Sequence, residues 1–539
     1  MNKAKRLSRL YRTSKAHMGH KAWENLLHAH SSPPEPEEFP ELLEPHAADL
    51  SIPGYLPELA RLEWAVHEAN SPVGKSRSAE SRSESLAIPA EITVNPTLCI
   101  LQCSWKHLPD LLNSRGRRPA AHPEKGEELV LLWRHPASGE MMVLSALDED
   151  LLVLKMAVEK IRPSQVSAES QVPVHALETA VERAVRKGLV FAPASKIRRD
   201  PSIFSSHAEI QESSLSASTF TLQWHITQAC DLHCRHCYDR SDRKPMELKQ
   251  ALVLLEDFQR FCEARHVKGQ ISFTGGNPFL HPDFITLYRA AVERGFGLAI
   301  LGNPTPVERL EEVVAIRRPE FFQVSLEGLP EHNDRIRGPV HFSRSISFLD
   351  PLRQLGVYSI VMLTLTRHNI AQVLPLAEMI ENRADLFTFN RLSLMGEGAN
   401  LELPTKEEYI NFLYRYNDAA SKNPFLGLKD NLLNAVRYKS GLELFGGCSG
   451  YGCGAAFNFM AVLPDGEAHA CRKFHSPIGN VVRSGVAAVY DSEAARLYRA
   501  GCAECRSCEI RHVCGGCLAT ARSFGLDPFK EKDPYCFIH

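Results

Sequence analysis

Cysteine placement constrains this chain more than any other feature. The residues fall at 99, 103, 230, 234, 237, 262, 448, 453, 471, 502, 505, 508, 514, 517 and 536. Fifteen in 539 residues put about half a cysteine into a 16-residue window, yet Cys502 to Cys517 holds five. Random placement does not explain that. The chain has no apolar run long enough to span a bilayer, and no apolar segment follows its basic start, so it reads as cytoplasmic. In that compartment, clustered cysteines serve metal, iron–sulfur or redox chemistry rather than structural disulfides. Lys plus Arg is 62 and Asp plus Glu is 64, a net charge of −2, so no global field steers the chain onto nucleic acid or anionic lipid. Lys3, Lys5, Arg6, Arg9 and Arg12 read as a solvated helix face.

The length predicts about three domains. Residues 1–70 lean helical, with Leu59, Leu62 and Val66 at helical spacing. A Ser/Arg-rich stretch, 71–85, reads as a linker. Apolar runs at 128–133 and 141–144 predict a hairpin, and helical patterns at 149–161 and 176–187 complete an α+β, winged-helix-like module over 91–192. A second Ser-rich stretch, 193–218, separates it from the rest. Strands are then predicted at 222–226, 270–274, 298–301, 321–325, 359–365 and 386–394, with amphipathic helices between them. Six β-α units predict an α/β fold over 219–400, a parallel sheet closed or partly closed as a (β/α)6 barrel, with its chemistry at the carboxyl ends of the strands. A helical bridge, 401–447, leads to a cysteine-dense tail, 448–539, in which metal ligation does part of the folding.

Cys230, Cys234 and Cys237 follow the first predicted strand with spacing C-x3-C-x2-C. Three thiolates on one loop hold three corners of a [4Fe–4S] cube and leave one iron open. A zinc site is the alternative, with His233 or His236 as the fourth ligand. The second strand ends in Thr274-Gly275-Gly276-Asn277-Pro278 and the fourth in Ser325-Leu326-Glu327. Together these segments resemble the radical S-adenosylmethionine (SAM) superfamily. The resemblance implies that the three cysteines hold a cluster that binds SAM, and that Gly275, Gly276, Asn277 and Pro278 form the turn receiving the methionine amino group. Electron transfer to the sulfonium then releases a 5′-deoxyadenosyl radical. Ser325 and Glu327, at a strand end, are placed to hydrogen-bond the ribose hydroxyls. Two positions depart from the pattern: Asn277 stands where the family has Glu, and His236 where it has an aromatic.

The tail resembles the SPASM extension of peptide-modifying radical SAM enzymes, with a hairpin through Pro464-Asp465-Gly466 ahead of Cys471. The resemblance implies two auxiliary [4Fe–4S] clusters, one on Cys448, Cys453, Cys471 and Cys517, the other on Cys505, Cys508, Cys514 and Cys536, for three in all. Two residues separate Cys514 from Cys517 where the family has three, which leaves their assignments exchangeable; Cys502 is a spare or alternative ligand, and a zinc ribbon over 505–517 is the other reading. Cys99, Cys103 and Cys262 read as packing residues.

The segment Leu56-Pro57-Glu58-Leu59-Ala60-Arg61-Leu62-Glu63-Trp64-Ala65 and the module after it resemble companion proteins of iron-dependent peptide oxidases, which deliver precursor peptides. Among maturases, the Gly-Gly-Asn-Pro turn and the long N-terminal module most resemble those of the selenobiotic peptide family. The resemblances imply an oxidoreductase that modifies a ribosomally made precursor peptide at or beside a Cys or selenocysteine, forming a thio(seleno)oxazole. A flavodoxin- or ferredoxin-type donor would supply electrons, and Arg391 with Gly396-Glu397-Gly398 would face the substrate. The rivals are a sulfatase-type Cys/Ser oxidising maturase, a thioether-forming maturase, and a non-catalytic iron–sulfur sensor that binds DNA.

Overall fold

The computed structural model describes residues 3–28, 33–46, 51–70, 92–114, 121–170, 172, 174–208 and 210–538. The expected linker at 71–85 lies outside the described residues. The chain divides into two compact units, 1–193 and 194–539.

The first unit is built around one long strand. β1 (Thr93–Val94), β2 (Cys99–Lys106), β3 (Glu124–Arg134), β4 (Met141–Ser145) and β5 (Val190–Phe191) form two antiparallel sheets, β1-β5 and β2-β3-β4. Side chains of a strand alternate between faces, and β3 uses both. Val130 and Leu132 join the core formed with the helices before residue 70, among them Leu56–Ala69. Leu131 and Trp133 join a second core with helices Asp148–Glu159 and Val174–Lys187. Leu59 and Leu62 are fully buried, and Val66 packs at the margin of the same core. The Glu63 carboxylate accepts from Thr13 N (2.6 Å) and Ser14 N (3.0 Å), at the start of helix Arg12–Met18, where the macrodipole favours an anion.

The sequence predicts the β3–β4 hairpin but not β2. A register shift between Cys103 and Trp105 breaks the alternation that would have revealed that strand. Cys103 is buried in the core and its thiol is pushed up to about 11 by burial, whereas Cys99 is exposed.

In the second unit, β6 (Thr219–Thr227), β7 (Lys268–Gly275), β8 (Gly297–Leu301), β9 (Phe321–Ser325), β10 (Ser359–Leu365) and β11 (Leu386–Arg391) run parallel, in sequential order, with a helix after each. Their near-continuous apolar runs suit strands covered on both faces. The sheet stays open, because β12 (Phe459–Val462) pairs with the outer edge of β6 in parallel. β13 (Glu467–His469) and β14 (Pro477–Asn480) extend that side antiparallel, giving the order β11-β10-β9-β8-β7-β6-β12-β13-β14. The expected hairpin before Cys471 is the β12–β13 turn, where Gly466 takes φ +83°. Helices Lys406–Lys422 and Leu433–Lys439 lie between barrel and tail. Cys262 is buried in the core on helix Leu248–Arg265, its thiol pushed well up by burial.

One expectation is corrected. Residues 194–218 do not act as a spacer ahead of the barrel but pack into the second unit: Lys196 N donates to Arg265 O, and the Arg199 guanidinium reaches the carbonyls of Tyr451 and Cys453. Serine content suggests a loop, but it says nothing about a single arginine that anchors one. Among the described residues no helix is long and apolar enough to cross a membrane.

Candidate cofactor and cluster sites

The loop after β6 and the turn after β7 are stitched together by backbone. Gly276 N donates to Thr227 O and Asn277 N to Ala229 O, both at 2.8 Å. A Cβ on Gly276 would stand 2.0 Å from Ala229 O, and one on Gly275, where φ is +129°, would stand 2.2 Å from Thr227 O. The glycines are therefore required by the cysteine loop itself, which approaches the turn as closely as a ligand would. Gly276→Ala is expected to lower stability by about 1–3 kcal/mol through overpacking and to displace the cysteine loop. Chemical unfolding together with SAM binding by equilibrium dialysis would register both effects.

Cys230, Cys234 and Cys237 line a cavity of about 480 Å³ with Gly275, Gly276 and Ser325. It sits at the carboxyl ends of the parallel strands, and Arg472 and Lys473, just after Cys471, close one side. Asn277, Pro278 and Glu327 are not among its lining residues. Asn277 is buried, with Oδ1 accepting from Phe279 N at 3.4 Å and Nδ2 donating to Asp231 Oδ1 at 3.2 Å, while Pro278 opens the short helical turn Pro278–Leu280.

The ribose role expected of Glu327 is corrected by its neighbours. Arg337 donates to Oε1 from Nε (2.9 Å) and Nη2 (2.6 Å), His236 Nε2 stands 3.2 Å from the same oxygen, and Thr364 N donates to Oε2 at 2.7 Å. Burial pushes the carboxyl up, but His236 and Arg337 outweigh it and hold it well below the usual carboxylate range. Arg337 Nη1 also lies 3.7 Å from Cys234 Sγ. Glu327 therefore anchors the arginine and histidine behind the cysteine loop. Glu327→Gln is expected to cost about 2–3 kcal/mol, because it strips a buried guanidinium of its counter-charge. A carboxyl depressed in the fold contributes fully above its unfolded value of about 4.3, and that contribution declines progressively as pH falls from there towards the depressed folded value. The deficit of the variant in denaturant titrations should therefore be constant from neutral pH down to mildly acidic conditions.

Sequence reasoning missed Asn303. It follows β8, lines the cavity, and gives Nδ2 to Asp231 Oδ1 (2.7 Å) and towards Cys230 Sγ (3.5 Å). Its position just beyond a strand's carboxyl end was the available signal. Arg391 also lines the cavity, but Asp430 and Asp533 hold it at 2.8 Å each. The Gly396-Glu397-Gly398 segment braces the cysteine loop: Glu397 N donates to Cys237 O at 2.9 Å, and a Cβ on Gly396 would stand 2.6 Å from Tyr238 O.

Eight tail cysteines fall into two groups. Cys505, Cys508, Cys514 and Cys536 line one small cavity of about 20 Å³. The thiols of Cys448, Cys471 and Cys517 all bear on Cys453, which burial pushes up to about 12. Cys471, pushed up to about 11 by burial, senses Cys448 and Cys517 in turn. Cys502 lines a different cleft, beside Cys453, with Sγ 3.3 Å from Lys530 O, and its thiol also hydrogen-bonds that of Cys505 in the second group. Cys514 lies with the second group, and its carbonyl accepts from Cys453 N at 3.0 Å. Asp533 accepts from Cys517 N at 2.9 Å. Donor sets made only of thiols, three around an open cavity and four around a closed one, fit iron–sulfur clusters.

Residues 224–380 match the family model of the Radical SAM superfamily, and residues 453–517 match that of SPASM, an iron-sulfur cluster-binding domain. The AdoMet-dependent heme synthase of Oleidesulfovibrio alaskensis is 25% identical over 342 residues, covering 58% of this chain and 86% of that protein. The mycofactocin maturase MftC of Mycobacterium ulcerans is 28% identical over 339 residues, covering 58% of this chain and 87% of that protein. Among solved structures, Streptococcus suis SuiB bound to precursor peptide SuiA superposes with a TM-score of 0.50 at 16% identity, over 76% of this chain and 96% of that one, a likeness of fold.

Proposed function

We infer from its radical SAM and SPASM domains, which indicate [4Fe–4S] clusters and SAM, that this chain cleaves SAM reductively and oxidises a residue of a ribosomally made precursor peptide. The observation that carries the reading is the meeting of Cys230, Cys234 and Cys237 with the Gly275-Gly276 turn on one cavity at the strand ends. When bound, a [4Fe–4S] cluster with one open iron supplies the electron that cleaves SAM to a 5′-deoxyadenosyl radical.

The three cysteines hold that cluster. Gly275 and Gly276, which line the cavity, would let the methionine end approach the turn closely, Asn277 and Pro278 would hold that turn from behind, and Ser325 at the end of β9 would reach the ribose hydroxyls. Glu327 positions Arg337 and His236 behind the loop. Cys448, Cys453, Cys471 and Cys517 hold one auxiliary cluster and Cys505, Cys508, Cys514 and Cys536 another, which brings the count to three. The electron donor is a flavodoxin- or ferredoxin-type protein.

The α+β module of the first unit, read as winged-helix-like over 91–192, serves to hold the precursor peptide. Among its relatives the mycofactocin maturase and the precursor-peptide complex are precedents for a peptide and the heme synthase for a small molecule, and the additional α+β module of this chain favours the peptide. Within that class, the Gly-Gly-Asn-Pro turn favours oxidation at a Cys or selenocysteine to a thio(seleno)oxazole.

Anaerobic reconstitution should load about 12 irons, four per cluster, and dithionite with SAM should yield 5′-deoxyadenosine. Mass spectrometry of a precursor peptide co-expressed from a neighbouring gene should show a loss of hydrogen mass at a Cys. Tightly bound zinc without 5′-deoxyadenosine would overturn the reading.

A further inference from the structure

Two arginines of the second unit lie buried with no carboxylate partner among the described residues. Arg199 is 9% exposed and Arg511 8%. Arg199 donates from Nη1 to Tyr451 O (2.5 Å) and from Nη2 to Cys453 O (2.7 Å), its Nε has no partner, and its guanidinium carbon stands 4.2 Å from the centre of the Phe457 ring. Arg511 donates from Nη1 to Ile203 O (2.6 Å) and from Nη2 to Ala500 O (2.5 Å). Every acceptor is a neutral carbonyl.

Their place in the fold suggests why. Both line a cleft of about 30 Å³ that also touches Cys453, of the first four-cysteine group. Arg511 also lines the cavity of Cys505, Cys508, Cys514 and Cys536, the second group. Arg199 thus stands beside the first group, and Arg511 borders both. Arg499, half-buried on the same cleft, likewise donates to carbonyls, those of Ala456 (3.0 Å) and Tyr490 (2.8 Å).

A buried cation is tolerated only next to compensating negative charge, and a second one nearby raises the cost. Four thiolates on a [4Fe–4S] core leave a net double negative charge when oxidised and a triple one when reduced. Anions in the two groups would supply what the side chains do not.

We propose that Arg199 and Arg511 are a shared counter-charge for the two SPASM cysteine groups and hold up the reduction potentials of the clusters bound there. The proposal rests on the cluster assignment made above. Reduction adds one negative charge to a cluster, and a fixed cation alongside favours that form, so removing the cation lowers the potential. Arg199 comes from the segment ahead of the barrel, so that segment tunes groups held by the far end of the chain.

The test uses full-length protein reconstituted in a Cys230→Ala/Cys234→Ala/Cys237→Ala background, which leaves only the SPASM signals. Potentiometric titration followed by electron paramagnetic resonance should show lower midpoints in Arg199→Gln, a further drop in Arg199→Gln/Arg511→Gln, and near-parental values in Arg199→Lys. Full iron with unmoved midpoints in Arg199→Gln overturns the proposal, as does an Arg199→Lys shift as large as that of Arg199→Gln. Should Arg199→Gln lose its iron, retention in Arg199→Lys supports the charge role, and loss in both overturns it. Zinc in place of iron before any arginine is changed overturns the cluster assignment itself.

Discussion

Cys230→Ala is expected to reduce 5′-deoxyadenosine formation to background while leaving about eight of about twelve irons bound. The position makes the result clean. Cys230 is exposed on the loop after β6, so its removal opens no cavity in the core. Asn303, whose Nδ2 approaches Cys230 Sγ at 3.5 Å, keeps the Asp231 partner at 2.7 Å. The fold and both tail groups should therefore survive, and only the three-thiol site should fail. Iron analysis with chromatographic assay of 5′-deoxyadenosine checks both halves, and cleavage at the parental rate would mean that the cavity on these strand ends is not where SAM reacts.

Arg391→Met should destabilise the second unit by roughly 3–5 kcal/mol, towards the top of that range. Arg391 is 2% exposed, and its guanidinium holds Asp430 Oδ2 through Nε and Asp533 Oδ2 through Nη1, both at 2.8 Å. The rings of Tyr409 and Tyr535 stand 5.4 and 5.9 Å from its guanidinium carbon. Methionine fills most of the volume but leaves two buried carboxylates without a cation. Asp533 also accepts from Cys517 N, so the loss should loosen the loop carrying that cysteine. Denaturant unfolding of the reconstituted protein measures the effect, and Arg391→Met/Asp533→Asn should recover part of it, because the pair shares one network. An unchanged midpoint would show that the buried triad carries no net stability.

What could be read from the residues alone follows a physical divide. Local spacing sufficed where chemistry is local: the C-x3-C-x2-C loop, the Gly-Gly turn and the six apolar runs all fall where the strand ends need them. It failed where a partner comes from elsewhere in the chain. Glu327 sits two residues past β9 in a position suited to a ligand, and only the fold shows Arg337 and His236 already on it. Arg199 lies in a serine-rich stretch that resembles a spacer, yet its acceptors are some 250 residues away. β2 escaped notice because its register shift breaks the alternation that marks a strand.

The parallel pairing of β12 with β6 also bears on how the chain is made. β6 ends at Thr227 and β12 begins at Phe459, so during synthesis the first barrel strand leaves the ribosome long before the strand that covers its outer edge. Until then that edge offers a row of unpaired backbone groups to any other chain. A version ending before residue 459 would keep the edge permanently open and should aggregate rather than survive as a free-standing barrel. The tail is thus the last-arriving wall of the barrel, and a nascent chain stays vulnerable until it is translated.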